Sequence, residues 1–244
     1  MRGIFVTGTG TGVGKTVVAA AMARSLAASG KTVAVFKPVV TGLDDQPADG
    51  PIPDDMRRFP ARRRGFEADH ELLRRAAGSM QSDEEIAPYR YGPPASPHLA
   101  AALAGEEIEP RRLLDAARAA ASGADALVCE GVGGLLVPLA PGYSVRDLAA
   151  ELALPLVVAA SSGLGTINHT LLTIEAARGA GLEVAMVVLT PWPDRPSRIE
   201  ESNRETIAAL GALPVKTLAS IDLADAASWP VLTLPPPMGR FHAV

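Results

Sequence analysis

Apolar residues recur along this chain in short unbroken runs separated by longer stretches with helical spacing. Residues 2–7 (RGIFVT), 32–36 (TVAVF), 125–129, 155–160 (PLVVAA) and 184–189 (VAMVVL) read as buried strands. Between them, 15–29, 110–121, 145–152, 166–179 and 198–210 read as helices, the first closed by Gly30. Continuous rather than alternating apolar runs mean strands covered on both faces. Strands that take turns with helices imply parallel pairing through crossover connections. The expected fold is therefore α/β: a single domain over 1–244, mostly parallel sheet, helices on both faces.

Two stretches break the pattern. Residues 43–66 carry four prolines, with five Asp up to residue 55 and five Arg after it. Such a composition reads as a solvated insertion after the second strand, with arginines touching an anionic ligand as the alternative. Residues 230–244 read as a Pro-rich surface tail with one short strand, VLTL.

Composition narrows the function. A net charge of −4 disfavours a non-specific nucleic-acid binder. The one cysteine excludes an internal disulfide framework or a Cys-based zinc cluster. The amino terminus lacks the apolar core of a signal peptide, and the longest nearly uncharged stretch, 152–174, is interrupted by polar residues and Pro. These features lead to an expectation of a cytoplasmic protein with no membrane or nucleic-acid partner. Only four of the 23 basic residues are lysines, and two of those, Lys15 and Lys37, fall in the segment where the chemistry gathers.

Residues 8–16 read GTGTGVGKT. A glycine loop between a strand and a helix directs backbone N–H groups at an anion, and the helix N-terminus adds partial positive charge. Lys15 supplies a point charge for β- and γ-phosphates, and Thr16 a hydroxyl for Mg²⁺. The strict Walker A spacing would place glycine at position 9, where this chain has Thr9. At the end of the third run, ALVCEGVGG sets Glu130 where a second contact to Mg²⁺ belongs, followed by Gly131, Val132 and Gly133 in a tight loop. Lys37 ends the second strand beside the first, near the phosphates, and Thr41 follows within reach of the same pocket. The strings SPHLAA and GTINHT put histidines at helix starts, without metal-ligand spacing.

The pieces FVTGTGTGVGKT, KPVVTG, ADHELL, SPHLAA, EGVGG and GLGTINHTLLT occur in one order over residues 3–190. Together they resemble the dethiobiotin synthetase family. The resemblance implies an ATP-dependent homodimer that joins CO₂ to 7,8-diaminononanoate with Mg²⁺ as cofactor. By the same resemblance Gly12, Val13, Gly14, Lys15, Thr16 and Val17 hold the nucleotide, with Glu130, Gly131, Val132 and Gly133 across from them. Thr16, Asp69 and Glu130 become metal ligands, and Lys15 and Lys37 the catalytic cations. Thr41, Gly165, Thr166, Ile167 and Asn168 contact the diamine, the last four near the subunit interface. Where the family often carries Asn-Asp for the nucleobase, this chain has Thr190 and Pro191. Replacing Lys37 is expected to abolish most turnover and to leave folding nearly unaffected. Two other classes share the glycine loop. A regulatory or partitioning ATPase would show a basic surface or an amphipathic membrane helix, and a cobyrinic-acid amide synthase a second domain with a nucleophilic Cys.

Overall fold

The computed structural model describes residues 2–43 and 67–235. Of the Asp- and Arg-rich stretch only Leu43 falls within them, so the reading of that stretch, and of the tail beyond 235, lies outside the described residues.

Six strands form one sheet in which every pairing is parallel: β1 (Gly3–Gly8), β2 (Val33–Phe36), β5 (Ala126–Glu130), β8 (Leu156–Ala160), β9 (Val184–Trp192) and β10 (Val215–Ala219). Their order is β10-β9-β8-β1-β5-β2. Two short ladders complete the strands: β3 (Val39–Val40) with β4 (Tyr89–Arg90), and β6 (Pro138–Ala140) with β7 (Tyr143–Ser144). The helices are α1 (Lys15–Ala28), α2 (Asp69–Ala77), α3 (Asp83–Ile86), α4 (Pro97–Leu103), α5 (Pro110–Ala121), α6 (Val145–Leu152), α7 (Thr166–Gly179) and α8 (Arg198–Gly211).

Strand periodicity sorts the core. Ile4 and Val6 of β1, Val33 and Val35 of β2 and Val128 of β5 face α1 and α2. Phe5, Phe36, Leu127 and Cys129 point the other way, toward α5 and α6. A third cluster, with Val158, Val187, Leu189 and Ile207, lies under α7 and α8. Every residue of β5 is buried, which is why the run is unbroken in sequence. Helix α1 is buried from Val18 to Ala23, and its alanines let it sit close between the sheet and α2.

The expected strand over VLTL is absent. Residues 229–235 make no ladder; the backbone there bonds to side chains instead, the Thr233 carbonyl accepting from Lys216 Nζ of β10 at 2.8 Å. The surface placement expected of 230–244 also fails at Leu232, with Trp229 buried just ahead of it. Trp229 and Leu232 are buried in the α1–α2 core, and the Leu232 amide donates to Ser25 Oγ at 2.9 Å. β9 runs three residues beyond the expected end, carrying Thr190 and Pro191 within the strand.

The strand order changes direction at β1. The chain leaves β1 for β2, returns to β5 between them, and then builds β8, β9 and β10 on the other side. Crevices at the carboxyl ends of strands beside such a reversal are where α/β sheets bind ligands.

Candidate active site

The carboxyl ends of β1, β2 and β5 open into a cleft of about 790 Å³. One wall is the glycine loop with the first turn of α1: Thr11, Gly12, Gly14, Lys15, Thr16 and Val17. Opposite lie Thr41, Gly42, Pro94, Ala95, Ser96 and Pro97. Lys37, Asp69 and Glu130 form the floor between them.

Gly14 is the N-cap of α1 and sits in the left-handed region at φ 89°. A Cβ there would lie 2.6 Å from Thr190 Cγ2. The loop is thus set directly against the end of β9, and only glycine satisfies both the backbone angle and the contact. Lys15 is buried, and its Nζ donates to the carbonyl of Gly10 at 2.7 Å, folding back across the loop. Burial, then the neighbouring Lys37 charge, lowers the Lys15 pKa to about 8, against the pull of Glu130 and Asp69.

Glu130 is fully buried at the end of β5. Its Oε1 accepts from Lys37 Nζ at 2.6 Å and from Thr16 Oγ1 at 2.9 Å. Its Oε2 is buried without a partner among the described residues. Lys37 Nζ also lies 3.0 Å from Asp69 Oδ2 and donates to the Gly131 carbonyl at 3.2 Å. Burial alone would push this ammonium toward neutrality. The two carboxylates outweigh that and hold it charged, well above the ordinary lysine range. Asp69 opens α2 and is about half exposed along the cleft wall. Its partial withdrawal from water in the cleft pushes the carboxyl up, but Lys37 and a bond from Thr16 bring it below the usual range. Burial raises the Glu130 carboxyl, and Lys37 opposes that shift.

Thr16, Lys37, Asp69 and Glu130, spread over 114 residues, therefore meet at one point beside the phosphate loop. No group of three or more His, Cys, Asp or Glu gathers among the described residues. Two carboxylates and a hydroxyl nonetheless suit Mg²⁺, which keeps several waters and takes one or two protein carboxylates alongside phosphate oxygens. The unpartnered buried oxygen of Glu130 is the feature that fits such an ion.

Other expected site residues lie elsewhere. Val13 packs on the α1–α2 core, behind the loop it belongs to. Gly131 lies behind the floor, serving as a backbone acceptor, while Val132 and Gly133 line the cleft. Thr190 is buried beneath Gly14, and the Pro191 carbonyl accepts from Ser162 Oγ at 3.2 Å. Gly165, Thr166, Ile167 and Asn168 sit at the start of α7, across β8 from the phosphate loop, and do not line this cleft. The loop before them is held by buried Asn203, whose Nδ2 donates to the carbonyls of Ser162 and Gly163 at 2.9 and 3.1 Å. The sequence reading missed Thr11, Leu223 and Val137 as lining residues. SPHLAA reads as a helix start and as a piece of the resemblance, without a place in the cleft; Ser96 as N-cap and Pro97 at the first helical position turn that string into the wall.

A family model described as an AAA domain matches residues 2–230. An ATP-dependent dethiobiotin synthetase BioD from Anaeromyxobacter dehalogenans (strain 2CP-1) is 45% identical over 189 residues, covering 78% of this chain and 76% of that protein. The protein of the same name from Rhodococcus erythropolis is 40% identical, covering 86% and 85%. That from Bacillus subtilis (strain 168) is 33% identical, covering 88% and 85%. None of the described helices is long and apolar enough to cross a membrane. The loop, the strand order and these identities across most of the chain agree, and the chain belongs to the ATP-dependent dethiobiotin synthetase family.

Proposed function

We propose that this protein closes the ureido ring of dethiobiotin from 7,8-diaminononanoate, CO₂ and ATP, working in the cytoplasm as a homodimer. The observation that carries the reading is the meeting of Lys37, Thr16, Asp69 and Glu130 beside the glycine loop, at the head of a cleft whose remaining lining is largely apolar. Val39, Val40, Pro94, Val132 and Val137 suit a methylene chain.

One amine of the substrate adds to CO₂ and loses a proton, giving a carbamate anion. The carbamate oxygen attacks the γ-phosphorus, and the bond to the bridging oxygen breaks, releasing ADP. The second amine then attacks the carbonyl carbon of the carbamic-phosphoric anhydride. The carbon–oxygen bond to phosphate breaks, the amine proton passes to solvent, and phosphate leaves as the ring closes. No protein nucleophile takes part. The work of the chain is to hold the reactants in line and to neutralise charge as it moves between oxygens. Loop N–H groups and Lys15 hold the phosphates, and Lys37 faces the transferring group. Thr41 stands at the diamine end. Thr16, Asp69 and Glu130 would hold Mg²⁺, which when bound offsets charge on the β- and γ-phosphates. Because Gly165, Thr166, Ile167 and Asn168 lie outside the cleft of their own chain, their role toward the substrate carboxylate is assigned to the site of a second copy.

Thr190 and Pro191 are assigned to the nucleobase end, where the buried hydroxyl and a proline without an N–H leave recognition to backbone groups. The reading is tested by phosphate release and product mass. Ring closure should require ATP, 7,8-diaminononanoate and bicarbonate together, and phosphate release undiminished without the diamine would refute it.

The position of Lys15 makes a pH prediction. With a pKa near 8 in the free protein, its ammonium is about nine-tenths charged at pH 7 and about one-tenth charged at pH 9. Polyphosphate favours the charged form. Nucleotide binding should therefore take up about a tenth of a proton at pH 7 and nearly a whole one at pH 9. Calorimetry in buffers of different ionisation heat measures this, and uptake near zero at pH 9 would contradict it.

A further inference from the structure

Arg75 lies in the last turn of α2, outside the reacting centre. Its Nε and Nη2 reach Glu67 Oε2 at 3.0 and 2.7 Å, and Nη2 also donates to the Leu223 carbonyl at 2.8 Å. The guanidinium carbon stands 5.9 Å from the centre of the Trp229 ring. Glu67 and Leu223 are far apart in the chain, and both line the cleft. Leu223 rests on the same α1–α2 core as Val17 in the first turn of α1, just past the phosphate loop. Arg75 thus joins the start of α2 to the segment 221–232. That segment is fixed further by Trp229 Nε1 donating to the Asp222 carbonyl at 2.6 Å and by Leu232 on Ser25.

Glu67 is an anion on the rim of a site that must take a polyphosphate, two residues before Asp69. Left unpaired, its carboxylate would repel the nucleotide. Held by a two-point guanidinium contact, it is neutralised and turned toward the clasp. We propose that Arg75 is a positioning residue for nucleotide binding, which neutralises Glu67 at the rim and fastens Leu223 and the 221–232 segment beside the phosphate loop. This deepens the reading above and rests on it for the identity of the nucleotide.

The test uses the full chain and titrates MgADP directly, so it does not depend on turnover. Arg75→Met keeps an unbranched side chain over Trp229 and removes the charge and the donors. It should weaken MgADP about tenfold at low salt. The loss should shrink in 0.5 M salt, because both partners are about one-third exposed and open to screening. Adding Glu67→Gln to Arg75→Met should recover most of that loss, and Arg75→Lys should bind within about threefold of the unaltered protein. The KM for 7,8-diaminononanoate should stay within twofold throughout. Unchanged MgADP affinity in Arg75→Met overturns the proposal, as does a loss that Glu67→Gln leaves in place. A fall in thermal stability with equal changes toward both substrates would mark Arg75 as a structural clasp and also overturn it. Absence of ring closure by the unaltered protein would instead sink the assignment of the reaction, leaving the MgADP result readable by itself.

Discussion

Lys37→Met should lower kcat/KM by about 100-fold or more, the loss expected when a charge contact of roughly 3 kcal/mol to a transition state is removed. The sequence suggests that folding would hardly notice. The buried contact with Glu130 says otherwise. Lys37 and Glu130 are 3% and 0% exposed, and Oε1 of the carboxylate rests on the ammonium at 2.6 Å. Removing one member of a buried pair strands the other and costs about 3 kcal/mol or more. For a chain of this size that lowers the melting temperature by roughly 8 °C. The pH dependence has a definite sign. Burial already raises the Glu130 carboxyl, and without Lys37 it rises further. A group whose folded pKa exceeds its unfolded value favours folding most at low pH and loses that contribution as pH rises through the folded pKa. The deficit of Lys37→Met should therefore be smaller at acidic pH and grow as pH rises. Adding Glu130→Gln removes the stranded charge and should restore most of the stability but none of the activity. Thermal denaturation and steady-state rates on the same two variants separate the roles. Turnover near that of the unaltered protein in Lys37→Met would remove this lysine from the mechanism.

Gly14→Ala should weaken nucleotide binding by about 100-fold or more. Two costs combine. An alanine at φ 89° carries about 1 kcal/mol of backbone strain. Its methyl would also stand 2.6 Å from Thr190 Cγ2, on a buried residue in a paired strand that has no room to retreat. The loop must move instead, and its N–H groups lose their aim. Changing Thr190 to Ser deletes Cγ2 and relieves the clash without touching the backbone angle. Gly14→Ala with Thr190→Ser should therefore recover about tenfold of the lost affinity, and no more. Titration with MgADP reads both. Affinity within threefold of the unaltered protein in Gly14→Ala would mean that the loop does not bind phosphate in the arrangement described.

The long elements were legible because each obeys one period throughout. The bounds of α5, α6 and α7 match the apolar spacing to the residue, and β1, β2, β5 and β8 to within one or two. The glycine loop was legible because it is local. The remainder depends on contacts that no window of sequence contains. β10 has only one buried residue in five, and β3 and β4 are two residues each, too short for any period. Lys37 and Glu130 are separately plausible as strand-end polar residues. That they share a proton-tight contact follows from β2 and β5 lying side by side, Phe36 opposite Cys129. The resemblance alone sets Thr190 where the family often carries a nucleobase contact. Its burial against Gly14 needed the strand to run on to Trp192. Leu232 falls in VLTL, which reads as a strand, and Trp229 stands alone before Pro230, so nothing local says that the two pack on the α1–α2 core.

The pairing of β1 has a consequence for the order in which the molecule can assemble. In the sheet Phe5 lies opposite Cys129 on one side and Leu156 on the other. Contacts so distant in sequence must overcome a large loop-closure entropy, which slows folding. During synthesis the first strand made has no partner until β5 has left the ribosome, and it is not enclosed until β8 follows. Its two backbone edges and the glycine loop behind it stay without their β5 and β8 neighbours for over half of translation, even though Ile4 and Val6 can meet α1 early. The nucleotide loop is thus encoded first and completed among the last, and a nascent chain stopped before Ala126 should hold neither a native β1 nor a competent phosphate site.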